Sequence, residues 1–94
     1  MMAKIFVVDQ AHKADVKVFS VNQGHKADLH YFEVNQSHKE SGDTLWFHVD
    51  QSHKCSVKIY WVNSEHKSDL KVFKVDQQHK AKWNKSHSWT NRLS

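Results

Sequence analysis

Six histidines recur at regular spacing and are the residues of this sequence best able to do chemistry. They are separated by 13, 13, 15, 13 and 13 residues, and each is followed by a lysine. The six are His12, His25, His38, His53, His66 and His79. Histidine is the commonest metal ligand, so such a set could bind zinc, copper or nickel. Because the spacing puts each histidine on a different unit, a site would form only where units meet.

The surroundings of the histidines favour a structural role over a metal site. The sequence contains no Cys-x-x-Cys or His-x-x-x-His pair, and the lysine after each histidine disfavours a bound cation. We expect each ring to pack at a turn and to donate a hydrogen bond to a backbone carbonyl. All six histidines are therefore weak metal candidates, and we expect no cofactor.

Several aspartates raise the question of acid–base catalysis: Asp9 and its equivalents, with Asp15, Asp28, Asp43 and Asp69. Catalysis of this kind needs two groups whose surroundings push their pKa values apart. Here similar aspartates recur in similar surroundings, which favours a role in capping turns. Motifs of nucleophilic or phosphate chemistry are absent, and the only cysteine, Cys55, is expected to be inert. We therefore predict no catalytic residues and no enzymatic activity.

An apolar stretch precedes every histidine, which makes six units of about 13 residues. Each stretch has an aromatic residue, a valine two residues later, and then Asp or Asn. Aromatic and β-branched residues predict strands, and Asp or Asn predicts the turn that ends them. We assign the aromatic-plus-valine face to the core: Phe6, Val8, Phe19, Val21, Phe32, Val34, Phe47, Val49, Tyr60, Val62, Phe73 and Val75.

The other strand positions differ in character. The residue before each aromatic is also apolar, as in Ile5 and Val18, so both strand faces must be covered by other copies of the unit. The residue between aromatic and valine varies freely, which indicates solvent: Val7, Ser20, Glu33, His48, Trp61 and Lys74. An exposed tryptophan is a candidate for binding a partner protein, so Trp61 is our partner-contact candidate.

Two extra residues in "HKESGD", residues 38 to 43, interrupt the period and divide the units into three and three. We predict an all-β domain over residues 1–83 whose strand–turn repeats are wound in two laps, with the lap change near 40–43. Residues 84–94 form a C-terminal tail with a partly degenerate repeat, "NKSHSW". We expect Trp83 and Trp89 to cap the last unit and the final residues to fray.

The "VKVFxVxxxHKAD" units, the mid-chain "SGD" before "LWF" and the closing "KAKW" resemble the septoil-knot domain. The resemblance covers residues 4 to 83. It implies a deeply knotted all-β domain, a seven-crossing torus knot in which two laps of short strands wind about each other. The family is bacterial or phage-associated and of unknown function, so it implies no catalytic or binding residues.

Composition restricts the partners. The formal charge of +4 arises from 14 Lys and Arg against 10 Asp and Glu, spread along the chain, so no specific nucleic acid is indicated. No apolar run suits a membrane span or a secretory signal, and we expect a cytoplasmic monomer.

The predicted function is that of a non-enzymatic, highly stable structural or interaction module. The alternatives are weak nucleic-acid or protein binding through Lys and Trp residues, and histidine-mediated metal binding.

Overall fold

The computed structural model describes residues 2–35 and 42–94, and within them the chain forms seven strands and no α-helix. The strands are β1 Met2–Val7, β2 Val16–Ser20, β3 Leu29–Val34, β4 Gly42–His48, β5 Val57–Trp61, β6 Leu70–Lys74 and β7 Lys82–Trp83. Short 3-10 turns carry the repeat histidines at Ala11–Lys13, Gly24–Lys26, Ser52–Lys54, Glu65–Lys67 and Gln78–Lys80. The predicted all-β repeat is confirmed.

Six parallel strands close into a barrel in the order β4-β1-β5-β2-β6-β3, and β3 pairs again with β4. The short β7 is added antiparallel to β3. All neighbouring barrel strands, β3 and β4 included, alternate between the two halves of the chain, as a two-lap path requires. The predicted lap change near 40–43 falls partly on residues outside the described ranges and stays a prediction.

The strands are strongly staggered. In β2, residues 16–18 pair with residues 59–61 of β5, whereas residues 18–20 pair with residues 70–72 of β6. The same division between first half and second half holds for β1, β3, β5 and β6, whereas Trp46 and Phe47 of β4 pair with both neighbours. A large stagger of this kind tilts the strands and closes a barrel that side chains can fill.

The interior of the barrel is built from the residues that precede the aromatics. These are Ile5, Val18, Tyr31, Trp46, Ile59 and Val72, which are 0–5% exposed. A second layer of buried side chains, nearer the amino ends of the strands, contains Ala3, Val16, Leu29, Val57 and Leu70. The Tyr31 and Trp46 rings stack with their centroids 4.1 Å apart.

The core assignment made from the sequence is wrong for four aromatics, which pack against neither buried cluster of the described residues, whereas Phe32 and Phe47 pack outside the barrel interior against a second cluster of Met2, Val34 and Leu45. Phe6, Phe19, Phe32, Phe47, Tyr60 and Phe73 are only half-buried and point away from the interior. Of the valines on that face, Val8, Val21, Val34 and Val75 are buried, whereas Val49 and Val62 are half-buried. Successive side chains of a strand point to opposite faces of the sheet. Because the residue before each aromatic points into the barrel, the aromatic itself points outward.

The links between strands cover this outer face. The link from β2 to β3 crosses the intervening strand β6, where Gly24 lies against Phe73 and His30. The Nε2 atom of His30 donates a hydrogen bond to the Gly24 carbonyl oxygen, 2.8 Å away, and the His30 and Phe73 ring centroids are 5.5 Å apart. A Cβ on Gly24 would lie 3.2 Å from the His30 ring, so a side chain at this position would require the ring to shift by a few tenths of an ångström.

None of the helical turns in the described residues is long enough and apolar enough to cross a membrane.

Candidate functional site

The carboxyl ends of the six parallel strands meet at one end of the barrel and form what we call the rim. The rim residues follow the interior residues by two positions and therefore stand on the same strand face. In barrel order they are Val7, Trp61, Ser20, Lys74, Glu33 and His48. These are the positions that vary freely between the units. The rim is thus a ring in which similar units present different side chains, apolar on one side and charged on the other.

Three polar rim residues form one cluster of contacts around Glu33. Glu33 contacts the Nε2 atom of His48 through Oε1 at 3.2 Å and the Nζ atom of Lys74 through Oε2 at 3.1 Å. Burial by itself would raise the pKa of Glu33, but the hydrogen bonds and charges of Lys74 and His48 lower it below its usual value. Burial, with a smaller contribution from the Glu33 charge, raises the pKa of Tyr31 below the rim to about 12.

The apolar side of the rim contains Trp61 and Val7. Val7 is 43% exposed, but Trp61 is half-buried because it packs against the interior cluster. The prediction of solvent exposure therefore holds for Val7, Ser20, His48 and Lys74, whereas Glu33 and Trp61 are half-buried. Trp61 accordingly offers only part of its indole for contact with a partner.

At the opposite end of the barrel, link residues connect strands from different halves of the chain. The Asp15 carboxylate accepts a hydrogen bond from the Lys58 backbone N–H at 2.9 Å, and the Asp15 N–H donates to the Lys58 carbonyl at 2.8 Å. The same pair of bonds joins Asp28 to Lys71, Asp69 to Lys17 and, through a hydroxyl, Ser56 to Lys4. These residues thus bond to neighbouring strands, and the prediction that the aspartates cap turns is wrong for Asp15, Asp28 and Asp69.

We call these pairs of hydrogen bonds clamps. At the junction of β3 and β4, which we call the seam, other hydrogen bonds take the place of the clamp. Asp43 is the counterpart of the clamping aspartates, but residues of β7 and the tail bind it instead. Its carboxylate, in a residue only 2% exposed, accepts hydrogen bonds from the Trp83 indole at 2.8 Å and the Leu93 N–H at 3.5 Å. On β3, His30 pairs with Lys82 of β7. The chain beyond the sixth unit therefore completes the seam.

The tail packs on the amino ends of the strands. Leu93 is fully buried in the interior cluster, and its carbonyl accepts a hydrogen bond from the Ser56 hydroxyl at 2.7 Å. Trp83 and Trp89 also pack against this cluster, and the Arg92 guanidinium lies 5.5 Å from the Trp89 ring centroid. The expectation that the final residues fray is wrong at Leu93.

A surface cleft beside the tail contains His87, the one histidine there close to a carboxylate. Its Nε2 atom lies 3.8 Å from an Asp28 carboxylate oxygen, and its Nδ1 atom accepts a hydrogen bond from the Trp89 N–H at 3.1 Å. A general base needs a ring nitrogen free to take a proton from a substrate. Both nitrogens of His87 face protein groups, so this arrangement fits a structural role better than catalysis.

The repeat histidines do not converge. His12, His25, His53, His66 and His79 are exposed on separate 3-10 turns, and His38 lies outside the described residues. Over residues 2–35 and 42–94, no group of three or more His, Cys, Asp or Glu side chains could hold a metal ion. The expected hydrogen bond from each ring to a carbonyl is not formed by the five described histidines.

The predicted Lys and Trp surface is also dispersed. Trp46 is buried in the interior, Trp83 and Trp89 lie at the tail, and Trp61 is the one tryptophan on the rim. The lysines that follow the described histidines are exposed on separate turns around the barrel.

Comparison with known families decides the classification. The family model described as the 7(1) septoil knot domain matches residues 2–84. The chain belongs to the septoil knot family. The septoil knot match ends at residue 84, so most of the tail that fills the seam lies beyond it. Neither curated proteins nor solved structures gave a match. The seven-crossing path implied by the resemblance stays a prediction for this septoil knot chain.

Two features of the site were missed from the sequence. The cross-strand clamps had a signal, since Asp or Ser precedes the strand in "KADV", "KADL", "KCSV" and "KSDL". The burial of Leu93 had none, because a single leucine in "TNRLS" belongs to no periodic pattern.

Proposed function

We propose that this protein is a non-enzymatic, highly stable structural and interaction module that contacts a partner protein through the rim around Trp61. The observation that carries this proposal is the position of the variable residues. The interior and the clamps repeat around the barrel, whereas the rim brings six different side chains together at one end. A surface that differs from the rest of a repetitive molecule is where a partner can be recognised specifically.

Two physical features support stability. The interior layers are filled with side chains that are almost completely buried, and burial of apolar surface is the main favourable contribution to folding. Clamps between residues 43 or 52 positions apart add hydrogen bonds between the two halves of the chain. A closed barrel also leaves few unpaired strand edges, which supports a monomer, and a cytoplasmic location stays part of the proposal.

The alternatives have less support. Weak nucleic-acid binding would be favoured by tryptophans interleaved with lysines, but these residues are dispersed over both ends and the sides of the barrel. Metal binding through the repeat histidines would need side chains that converge, and the five described ones stand on separate turns.

Photo-cross-linking tests the proposal. A cross-linking amino acid at Ser20, which neighbours Trp61 in the ring of rim residues, should give one discrete adduct with the partner in cells. The same group at Ser88, on the exposed part of the tail, is the matched control and should not give that adduct. We expect Trp61→Ala to abolish the adduct and Trp61→Phe, which keeps apolar packing on the interior, to retain part of it.

Thermal unfolding of each variant checks that it is folded. An adduct that forms equally from Ser20 and Ser88, or that survives Trp61→Ala, would show that the rim is not the contact surface.

A further inference from the structure

The layer of buried side chains at the amino end of the barrel has one short member. At this level β1 provides Ala3, whereas four other strands provide valine or leucine: Val16, Leu29, Val57 and Leu70. Leu93 of the tail is fully buried in the same cluster as these residues. The strands by themselves therefore leave this layer incomplete, and the tail completes it.

Two polar groups fix the main chain of Leu93 across the amino end of β1. The Asp43 carboxylate, in β4, accepts a long hydrogen bond from the Leu93 N–H at 3.5 Å. The Ser56 hydroxyl, directly before β5, donates to the Leu93 carbonyl at 2.7 Å. Since β4 and β5 are the two barrel neighbours of β1, Leu93 lies where the Ala3 side chain is short. We call this place, with Ala3, Asp43 and Ser56, the notch.

The tail carries its contact residues as one preformed unit. Within the part of the chain that the structure describes, the hydrogen bonds of residues 88–92 stay inside the tail, and the Arg92 N–H donates to the Trp89 carbonyl at 3.0 Å. This turn places Trp89 and Leu93, four residues apart, against the interior cluster. The tail therefore binds the barrel in the manner of a short peptide with the spacing Trp-x-x-x-Leu.

The notch belongs to the repeat domain, whereas its occupant does not. The three notch residues lie within residues 2–84, which the septoil knot model matches, and Trp89 and Leu93 lie beyond that range. Recognition of a short segment by side-chain pockets and main-chain hydrogen bonds is a common mode of peptide binding. The barrel thus has a peptide site, and the tail shows the chemistry of the ligand that fits it.

We infer that the notch is an acceptor for a Trp-x-x-x-Leu segment of a partner protein, and that the tail occupies it when this partner is not bound. The leucine of the segment fills the notch, its main chain lies between Asp43 and Ser56, and its tryptophan packs on the interior cluster. The notch is at the opposite end of the barrel from the rim, so this site is additional to the contact surface of the proposed function.

A second copy of this chain is a weaker donor than a partner. The tail of that copy already makes these contacts on its own barrel, so an exchange of tails adds no contact and costs freedom of association. A partner segment that has no acceptor of its own gains the contacts on binding.

A peptide that competes with the tail tests the inference. The probe is a fluorescein-labelled peptide of residues 84–94, and its binding to the full chain is measured by fluorescence anisotropy. We expect it to bind full-length Leu93→Ala at least about tenfold more tightly than wild type, because apparent affinity falls with the fraction of molecules whose site is open. A second probe, the same peptide with Leu93→Ala, should bind at least about tenfold more weakly than the first.

The matched variants are made in the Leu93→Ala chain. Ala3→Val gives β1 the side chain that β2 and β5 have at this position, and it should weaken probe binding at least about tenfold because it fills part of the notch. Ala11→Val is the control, at a link position where other units have serine, glutamate or glutamine, and it should leave probe binding unchanged. Ser56→Ala should weaken binding about threefold to tenfold, since one hydrogen bond is lost. Thermal unfolding checks that each variant is folded.

Three results would overturn the inference: equal probe affinity of wild type and Leu93→Ala, equal affinity of the two probes, or unchanged binding in both Ala3→Val and Ser56→Ala. A concentration-dependent dimer of wild type that Leu93→Ala abolishes would also overturn it, since the occupant would then be the tail of a second copy. Trp61→Ala separates the two surfaces. It should abolish the rim adduct and leave the affinity of the probe for the Leu93→Ala chain unchanged.

Discussion

Leu93→Ala tests whether the tail is part of the folded core. Leu93 is fully buried against the interior cluster, although it is the second-last residue. The substitution removes about three carbon groups, which corresponds to roughly 2 kcal/mol of transfer free energy at ~0.8 kcal/mol per group. The cavity left behind raises the expected loss of stability to about 2–4 kcal/mol. The loss cannot exceed the free energy that holds the tail on the barrel, because the tail can detach locally.

Equilibrium unfolding in urea measures this loss, with Ser94→Ala, at an exposed neighbouring position, as the control. A loss below about 0.5 kcal/mol for Leu93→Ala would show that the tail is not stably packed on the barrel, since surface substitutions give changes of that size. Combination with Trp89→Ala refines the result. If the tail docks as one unit, the double variant should lose clearly less than the sum of the two single losses.

Three further outcomes are expected. Asp69→Ala should lower the free energy of unfolding by about 1 kcal/mol, because the Lys17 N–H loses its acceptor. Asp69→Asn keeps an acceptor oxygen and should lose less, and equal losses of the two variants in urea unfolding would contradict this. Phenolate absorbance of wild type minus that of Tyr31→Phe should titrate with a midpoint of about 12, and a midpoint near the usual value of 10.0 would refute the burial argument. Because the pKa of Glu33 is lowered in the folded protein, its contribution to stability is complete above the unfolded pKa and is lost as pH falls through the folded pKa. The difference in unfolding free energy between wild type and Lys74→Gln should therefore shrink on acidification, and a difference independent of pH would contradict this.

The strands and turns were predictable because each unit repeats its own signal. β-branched and aromatic residues end at Asp or Asn in every unit, and period-two alternation separates two faces. Which face lies inside was not predictable, because both are apolar. Ile5 and Phe6 are equally acceptable core residues by type, and barrel closure decides between them: the aliphatic side chain fills the interior, and the link covers the ring.

The candidate site was predictable only in part. Free variation identified the rim positions and Trp61, but not that the Trp61 indole packs on the interior cluster. The seam depends on residues with no periodic pattern, such as Leu93, and on a departure from the repeat at Asp43. Both follow from how the barrel closes, which local sequence does not encode.

The interleaved strand order has a consequence for synthesis on the ribosome. In the described part of the chain, β1, β2 and β3 pair with one another nowhere, and their barrel neighbours all belong to the second half. A nascent chain that has emerged only as far as β3 therefore has no native strand pair to form. Its apolar segments stay unpaired until the second half of the chain is translated. We therefore expect the nascent chain to be most prone to aggregation before the second half emerges.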